Sequence, residues 1–180
     1  MTTKYKVIDV LTVFMFHKVT EPPMLQEFES FLIYLKKKYN IVMPGDNVSL
    51  LKKSACLTFD DAYFDFYEFV FPLLKKHNIP AILAVPTDFI LDETSESREC
   101  RLVAPTLNHL KAPYCTWREL KQIACSGIVE IASHHHTHAS AKSPDFSFEQ
   151  EIVLSKKIIE NKLNVKVQTL IYPYGDFKDS

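Results

Sequence analysis

Glycine is scarce in this chain, at 3 residues in 180. The scarcity argues against a glycine-rich phosphate cradle, and neither a GxGxxG nor a P-loop string occurs. Net charge is also small, at −1 with the histidines neutral. Nucleic acid and anionic membrane surfaces both call for clustered positive charge, so no electrostatic case for either arises. The four cysteines, Cys56, Cys100, Cys115 and Cys125, form no C-x-x-C pair. Reduced thiols are therefore the expectation. The apolar stretch Val7 to Phe16 is too short to span a bilayer and is broken by Asp9. Met1 to Asp9 lacks the basic region, apolar stretch and small-residue cleavage site of a leader. A cytoplasmic protein without a membrane span is expected.

What is present suits a soluble globular protein: 47% hydrophobic and 24% charged residues. A length of 180 residues predicts a single domain, 1–180. Leu11 to Phe16 reads as a buried strand. Pro22-Pro23 opens a helix through Lys38, with Leu25, Phe28, Phe31, Leu32 and Leu35 on one stripe. Strands follow at Ala55 to Phe59, Ala81 to Val85, Ile128 to Ala132 and Val167 to Tyr172. Helices are expected at Phe64 to His77 and at Trp117 to Ala124, the latter with Thr116 and Glu119 as a capping box. A last helix, with Ser147 and Gln150 in capping-box positions, has an apolar stripe of Phe148, Ile152, Ile159 and Leu163. The segment Asp92 to Cys115 reads as a long polar loop, where binding determinants are often found.

Alternating strands and helices predict an α/β domain with a largely parallel sheet. In such folds the C-terminal ends of the strands form the functional face. His17, Asp60, Asp61, His134, His138 and Tyr174 all lie at or just after an expected strand end. The adjacent carboxylates Asp60 and Asp61 repel one another unless a cation or an acid partner is near. One of them can bind a metal while the other accepts a proton, although an acidic pair alone also fits a solvated loop start. His134-His135-His136-Thr137-His138 holds four of the 7 histidines. Imidazole is the commonest metal ligand. His134 and His138 are the preferred pair, and composition leaves His136 open. Two histidines and a carboxylate suit hydrolytic zinc, and other divalent ions also fit. Tyr172-Pro173-Tyr174-Gly175 taken alone is a turn.

In order along the chain, Val13-Phe14-Met15-Phe16-His17-Lys18-Val19, Leu57-Thr58-Phe59-Asp60-Asp61, the histidine cluster and Tyr172-Pro173-Tyr174-Gly175 resemble the motifs of the NodB-homology polysaccharide deacetylases, carbohydrate esterase family 4. The resemblance implies a distorted (β/α) barrel, C-terminally incomplete. It also implies hydrolysis of acetyl groups from N-acetylated sugars of a polysaccharide or glycoconjugate. By the same resemblance Asp60 is the general base. Asp61, His134 and His138 hold Zn2+ or another divalent metal. The Tyr174 backbone N–H helps to hold the oxyanion, and His17 lines the pocket. The chain departs from the pattern in three places. Ala62 stands at a usual glycine, which suits a backbone that is not left-handed. Ile171 stands where many members carry an arginine. The last strands, with an aromatic pocket-wall motif and a Leu-x-His acid motif, have no counterpart before Ser180. Two alternatives follow: a truncated, catalytically weak protein that still binds metal or glycan, and a related metal amidohydrolase acting on a small non-sugar amide.

Overall fold

The computed structural model describes residues 11–19, 22–47, 53–103 and 112–177. The expectations for Met1 to Asp9, and for the middle of the polar loop at 104–111, lie outside them. β1 (Leu11–Phe16) and α1 (Pro22–Lys38) have the bounds read from the sequence. β2 (Asn40–Ile41) is a short strand without a sequence signal. β3 (Ser54–Phe59), β4 (Ala81–Val85) and β5 (Val129–Ser133) lie within a residue of expectation. A π-helical turn at Phe66–Val70 leads into α2 (Phe71–His77). α3 (Arg98–Val103) lies inside the segment read as irregular. α4 (Trp117–Ala124) has the expected capping box, with both reciprocal bonds between Thr116 and Glu119 present. A second π-helical turn, Glu149–Val153, precedes α5 (Leu154–Leu163).

The sheet runs β1-β3-β4-β5, and every ladder is parallel. β3 is buried at all six positions, as a central parallel strand must be. Its second edge is shared: β2 pairs with Ser54 and Ala55, while β4 pairs with Thr58 and Phe59. Parallel pairing brings the C-terminal ends of β1, β3, β4 and β5 to one rim. Helices α1, α2, α4 and α5 pack on one face, around Leu32, Leu57, Phe59, Leu74, Leu83 and Ile159. On the opposite face the described residues form a much smaller apolar cluster of Cys56, Ile82, Ala84 and Ala132, with Met43 and Ile171 against them. Among the described residues no helix is long and apolar enough to cross a membrane.

Three expectations are corrected. β1 is not a buried strand: its residues alternate between exposed and half-buried. Val167 to Tyr172 is not a strand. A single parallel bridge joins Leu170 to Ser133, closed by Ser133 N–H to Thr169 O at 3.1 Å and Ile171 N–H to Ser133 O at 2.9 Å. The start of the segment is held by α5 instead: Val167 N–H donates to Glu160 Oε1, and Lys156 Nζ donates to Val167 O. The last helix keeps the second half of its expected stripe, Ile159 and Leu163, and departs from the first. Phe148 is 61% exposed, whereas Glu151, Ser155, Ile159 and Leu163 are buried. Their i, i+4 spacing places them on one side of the helix.

Candidate metal centre and active site

The rim gathers three of the expected residues into a cluster. Asp61 leaves the end of β3 in a turn with positive φ, +70°, and Ala62 follows at +52°. His134 follows β5 directly, and its N–H donates to Val85 O at 3.1 Å, extending the β4–β5 ladder by a step. His138 ends the histidine loop with φ +61°. The turn brings Asp61 Oδ1 to 3.2 Å from His138 Nε2 and to 3.6 Å from His134 Nε2. One ligand atom from each of the three lies within 4.8 Å of the other two.

The hydrogen bonds around the cluster suit a cation. His134 Nδ1 lies 2.8 Å from Ile171 O, a group that can only accept. The proton therefore sits on Nδ1, and the Nε2 lone pair faces Asp61. Burial drives the His134 pKa down to about 4, which keeps the ring neutral. A neutral imidazole nitrogen facing a carboxylate oxygen at 3.6 Å has no proton to share, and a metal ion between them satisfies both. Burial pushes the Asp61 carboxyl up, but its hydrogen bond to His138 and the electrostatic attraction of the neighbouring imidazoles, His138 foremost, outweigh this and hold it below the ordinary range.

Asp60 is set apart from the ligands. It is 4% exposed, its N–H donates to Phe16 O, and its Oδ1 is buried without a hydrogen-bond partner. Burial raises its pKa to about 6, with the charge of His17 opposing and that of Asp61 adding. A buried carboxyl near neutrality with a free oxygen is suited to take up a proton. His17 is exposed at the end of β1. The turn after it is tied to the segment carrying the aspartates by Val19 N–H, which donates to Asp65 Oδ2 at 2.5 Å. Tyr174 is 74% exposed with φ +60°, and its ring lies edge-on to His138 at 4.9 Å.

The other two histidines of the run have other partners. His136 Nδ1 lies 2.8 Å from Thr87 Oγ1, and the residues whose ligand atoms converge are Asp61, His134 and His138. His135 is fully buried, with Nδ1 donating to Ala139 O at 2.7 Å and its ring against Phe146 and Tyr172. Among the described residues, five of the seven non-glycine residues with positive φ are Asp61, Ala62, His135, His138 and Tyr174; the other two, Asn78 and Asn164, cap helices. Backbone strain of this kind concentrates at functional sites.

Sequence reasoning missed an aromatic column beside the cluster. Phe89, Tyr114 and Tyr63 stack in series at 5.0 and 5.1 Å, and Lys18 Nζ lies 4.1 Å over the Tyr63 ring. Arg101 of α3 anchors the column from behind. It donates to Ala112 O, Tyr114 O and both oxygens of Glu119. It missed Glu151 as well, although stepping back from Leu163 and Ile159 by fours reaches Ser155 and Glu151.

Two histidines and one carboxylate thus converge at the C-terminal rim of a parallel sheet, a donor set that can hold a divalent metal ion. The chain belongs to the polysaccharide deacetylase family, whose model matches residues 47–180. It is 32% identical over 85 residues to the poly-beta-1,6-N-acetyl-D-glucosamine N-deacetylase of Escherichia coli K12, which spans 47% of this chain and 12% of that protein. It is 24% identical over 137 residues to the protein of the same name from Staphylococcus aureus, covering 71% of this chain and 42% of that one. The chain thus spans less than half the length of either relative. Among solved structures, IcaB from Ammonifex degensii superposes with a TM-score of 0.74 at 23% identity, over 94% of this chain and 76% of that one. The fold is accordingly α/β of the NodB-homology type.

Proposed function

We propose that this site removes acetyl groups from N-acetylated sugars of a polysaccharide or glycoconjugate, with one divalent ion, zinc by its donor set, held by Asp61, His134 and His138. The observation that carries the reading is the convergence of Asp61 Oδ1, His134 Nε2 and His138 Nε2 beside a buried Asp60 whose pKa lies at about 6. Family membership and the substrates named for the Escherichia coli and Staphylococcus aureus relatives support an N-acetylglucosamine polymer.

A divalent ion bound there would acidify a water and polarise the amide carbonyl. Asp60 Oδ1 accepts a proton from the attacking water, which matches an acceptor left unpaired in the fold. The Tyr174 N–H stabilises the negative charge that develops on the carbonyl oxygen. His17 lines the entrance and favours ionised Asp60 through its charge. Cleavage of the C–N bond passes the proton taken up by Asp60 to the leaving nitrogen, giving acetate and a free amine on the sugar.

The test separates binding from turnover. After dialysis, wild type retains one zinc per chain and His138→Ala does not. Asp60→Asn keeps its metal yet releases no acetate from N-acetylglucosamine oligomers, while Asp61→Asn binds metal weakly. Equal metal content in wild type and His138→Ala would overturn the ligand set. Loss of metal from Asp60→Asn with retention by Asp61→Asn would reverse the two roles.

A further inference from the structure

The histidine loop has a strained backbone, with His135 at φ +64° and His138 at +61°. Non-glycine residues hold such angles only where their surroundings enforce them. What enforces them here is a buried carboxylate on the helix behind the loop. Glu151 is 7% exposed. Its Oε2 accepts from two successive amides, His136 N–H at 3.0 Å and Thr137 N–H at 2.9 Å. Its Oε1 accepts from Thr137 Oγ1 at 2.6 Å. Three hydrogen bonds therefore fix the residues immediately before His138. One helical turn further on, Ser155 Oγ lies 2.9 Å from Ser133 Oγ, at the end of β5 beside His134. The helix thus grips both ends of the loop through one buried polar side.

We propose that Glu151 is a positioning residue for the metal centre: it sets the backbone of the histidine loop so that His138 faces Asp61. It touches neither metal nor substrate, and it acts through shape. A carboxylate oxygen that takes two adjacent N–H groups holds that pair of peptides in one orientation. Losing it lets the loop relax toward ordinary φ values and swings the His138 ring out of reach. Outer-shell contacts of this kind are typically worth about 10–100-fold in metal affinity.

The proposal rests on the reading of Asp61, His134 and His138 as metal ligands, and its test distinguishes the two. Zinc affinity of metal-free protein is measured by chelator competition for wild type, Glu151→Gln and Glu151→Asp. Circular dichroism and thermal melts of the metal-free forms confirm that each is folded at the titration temperature. Glutamine keeps the length and the acceptor oxygen but loses the charge. Aspartate keeps the charge but falls a methylene short of the loop. Positioning predicts that Glu151→Gln binds zinc within a few-fold of wild type, while Glu151→Asp loses about 10–100-fold. The opposite order would assign Glu151 a charge effect on the ion and overturn the proposal. Wild-type affinity in Glu151→Asp would overturn it too. A wild type that binds no zinc would overturn the ligand reading and this one with it. Thr137→Val, which removes only the hydroxyl bond from an exposed residue, is the milder variant should Glu151→Asp fail to fold. It is expected to weaken zinc binding several-fold, and unchanged affinity there would overturn the proposal.

Discussion

The two faces of the sheet differ sharply. On the helical face Phe59, Leu83, Leu32 and Ile159 are at most 1% exposed, and Phe16, Phe28 and Phe59 pack ring against ring at 5.1 to 6.1 Å. On the other face Leu11, Val13 and Met15 of β1 are 46%, 55% and 59% exposed. There Leu11 and Val13 border a cavity of about 290 Å³ that also touches Cys56, Ile82 and Ile171. The face toward the helices is a finished core. The other is the interior of a barrel, covered by loop residues alone among those described. The candidate site sits on the rim where the two meet, so Asp61, His134 and His138 draw rigidity from one side and access from the other.

The largest expected effect tests that contrast directly. Leu83→Ala, fully buried against the helices, should cost about 2–5 kcal/mol in denaturant unfolding. Val13→Ala, on the open face of β1, should change stability by no more than about 0.5 kcal/mol. A comparable cost at Val13 would mean that the open face is covered in solution, and the contrast would break.

Asp60 sharpens the comparison at the rim. Burial raises its pKa to about 6. A carboxyl raised in this way contributes stability below its unfolded pKa of about 3.9, and the contribution is lost as pH climbs through about 6. Above that point the fold carries an ionised, buried group that a neutral amide would spare. In metal-free protein Asp60→Asn should therefore be more stable than wild type by about 1–3 kcal/mol near pH 8, the gap closing toward about pH 4. Thermal melts across pH read this out. A flat difference would show that Asp60 is solvated in solution. On the proposed role of Asp60, turnover of the metal-loaded protein should also fall as pH drops, at a point below that of the metal-free carboxyl because a cation beside Asp61 favours the ionised form.

Legibility in the sequence follows the same division. The helical face was readable because its signals are local. The apolar run of β1, the stripe of α1 and the Thr116–Glu119 box each lie within a few residues. The misreadings arise where tertiary partners decide. Val167 to Tyr172 has the composition of a strand, but its first residues bond to side chains of α5, leaving one bridge at Leu170. The buried side of α5 and the π-helical turn before it begins with Glu151 and Ser155, polar residues that an apolar stripe passes over. α3 depends on Arg101 reaching Ala112 O, Tyr114 O and Glu119, contacts that only folding brings together. The cluster of Asp61, His134 and His138 was legible because parallel strands send their ends to one rim. The roles of His135 and His136 were not, since both are set by neighbours distant in sequence or by the path of the loop.

A smaller effect probes the edge of the finished face. Thr116 caps α4, accepting the Glu119 N–H on Oγ1 at 3.3 Å, while its own N–H donates to Glu119 Oε2 at 2.7 Å. Thr116→Ala should cost about 1 kcal/mol, the usual value of a lost N-cap. Because Glu119 also holds Arg101, a loss well beyond that would mean that cap and arginine anchor fail together. Combining Thr116→Ala with Arg101→Ala separates the two: independent contributions add, and a coupled unit does not.

The smallest effect is expected at Ala62, where the strain of the rim meets the packing of the helical face. A backbone that is not left-handed would have suited alanine in place of the family's usual glycine, yet φ here is +52°. Left-handed geometry costs a non-glycine residue roughly 1–2 kcal/mol, which Ala62→Gly would relieve. Two terms oppose the gain. Ala62 is fully buried within the helical core, and removing its methyl forfeits about 0.8 kcal/mol of burial. Glycine also frees the unfolded chain, at a cost of about 0.4–1 kcal/mol. The Cys115 N–H to Ala62 O bond at 2.8 Å involves only backbone and survives the change. The terms nearly cancel, so Ala62→Gly should shift stability by less than about 1 kcal/mol in either direction and leave zinc affinity unaltered. Melting curves and a zinc titration decide it. A clear gain in stability would mean that strain at this turn outweighs packing and that the methyl adds little to the core. A clear loss would mean that the helical face reaches up to the ligand-bearing turn and holds Asp61 in place through the methyl of Ala62.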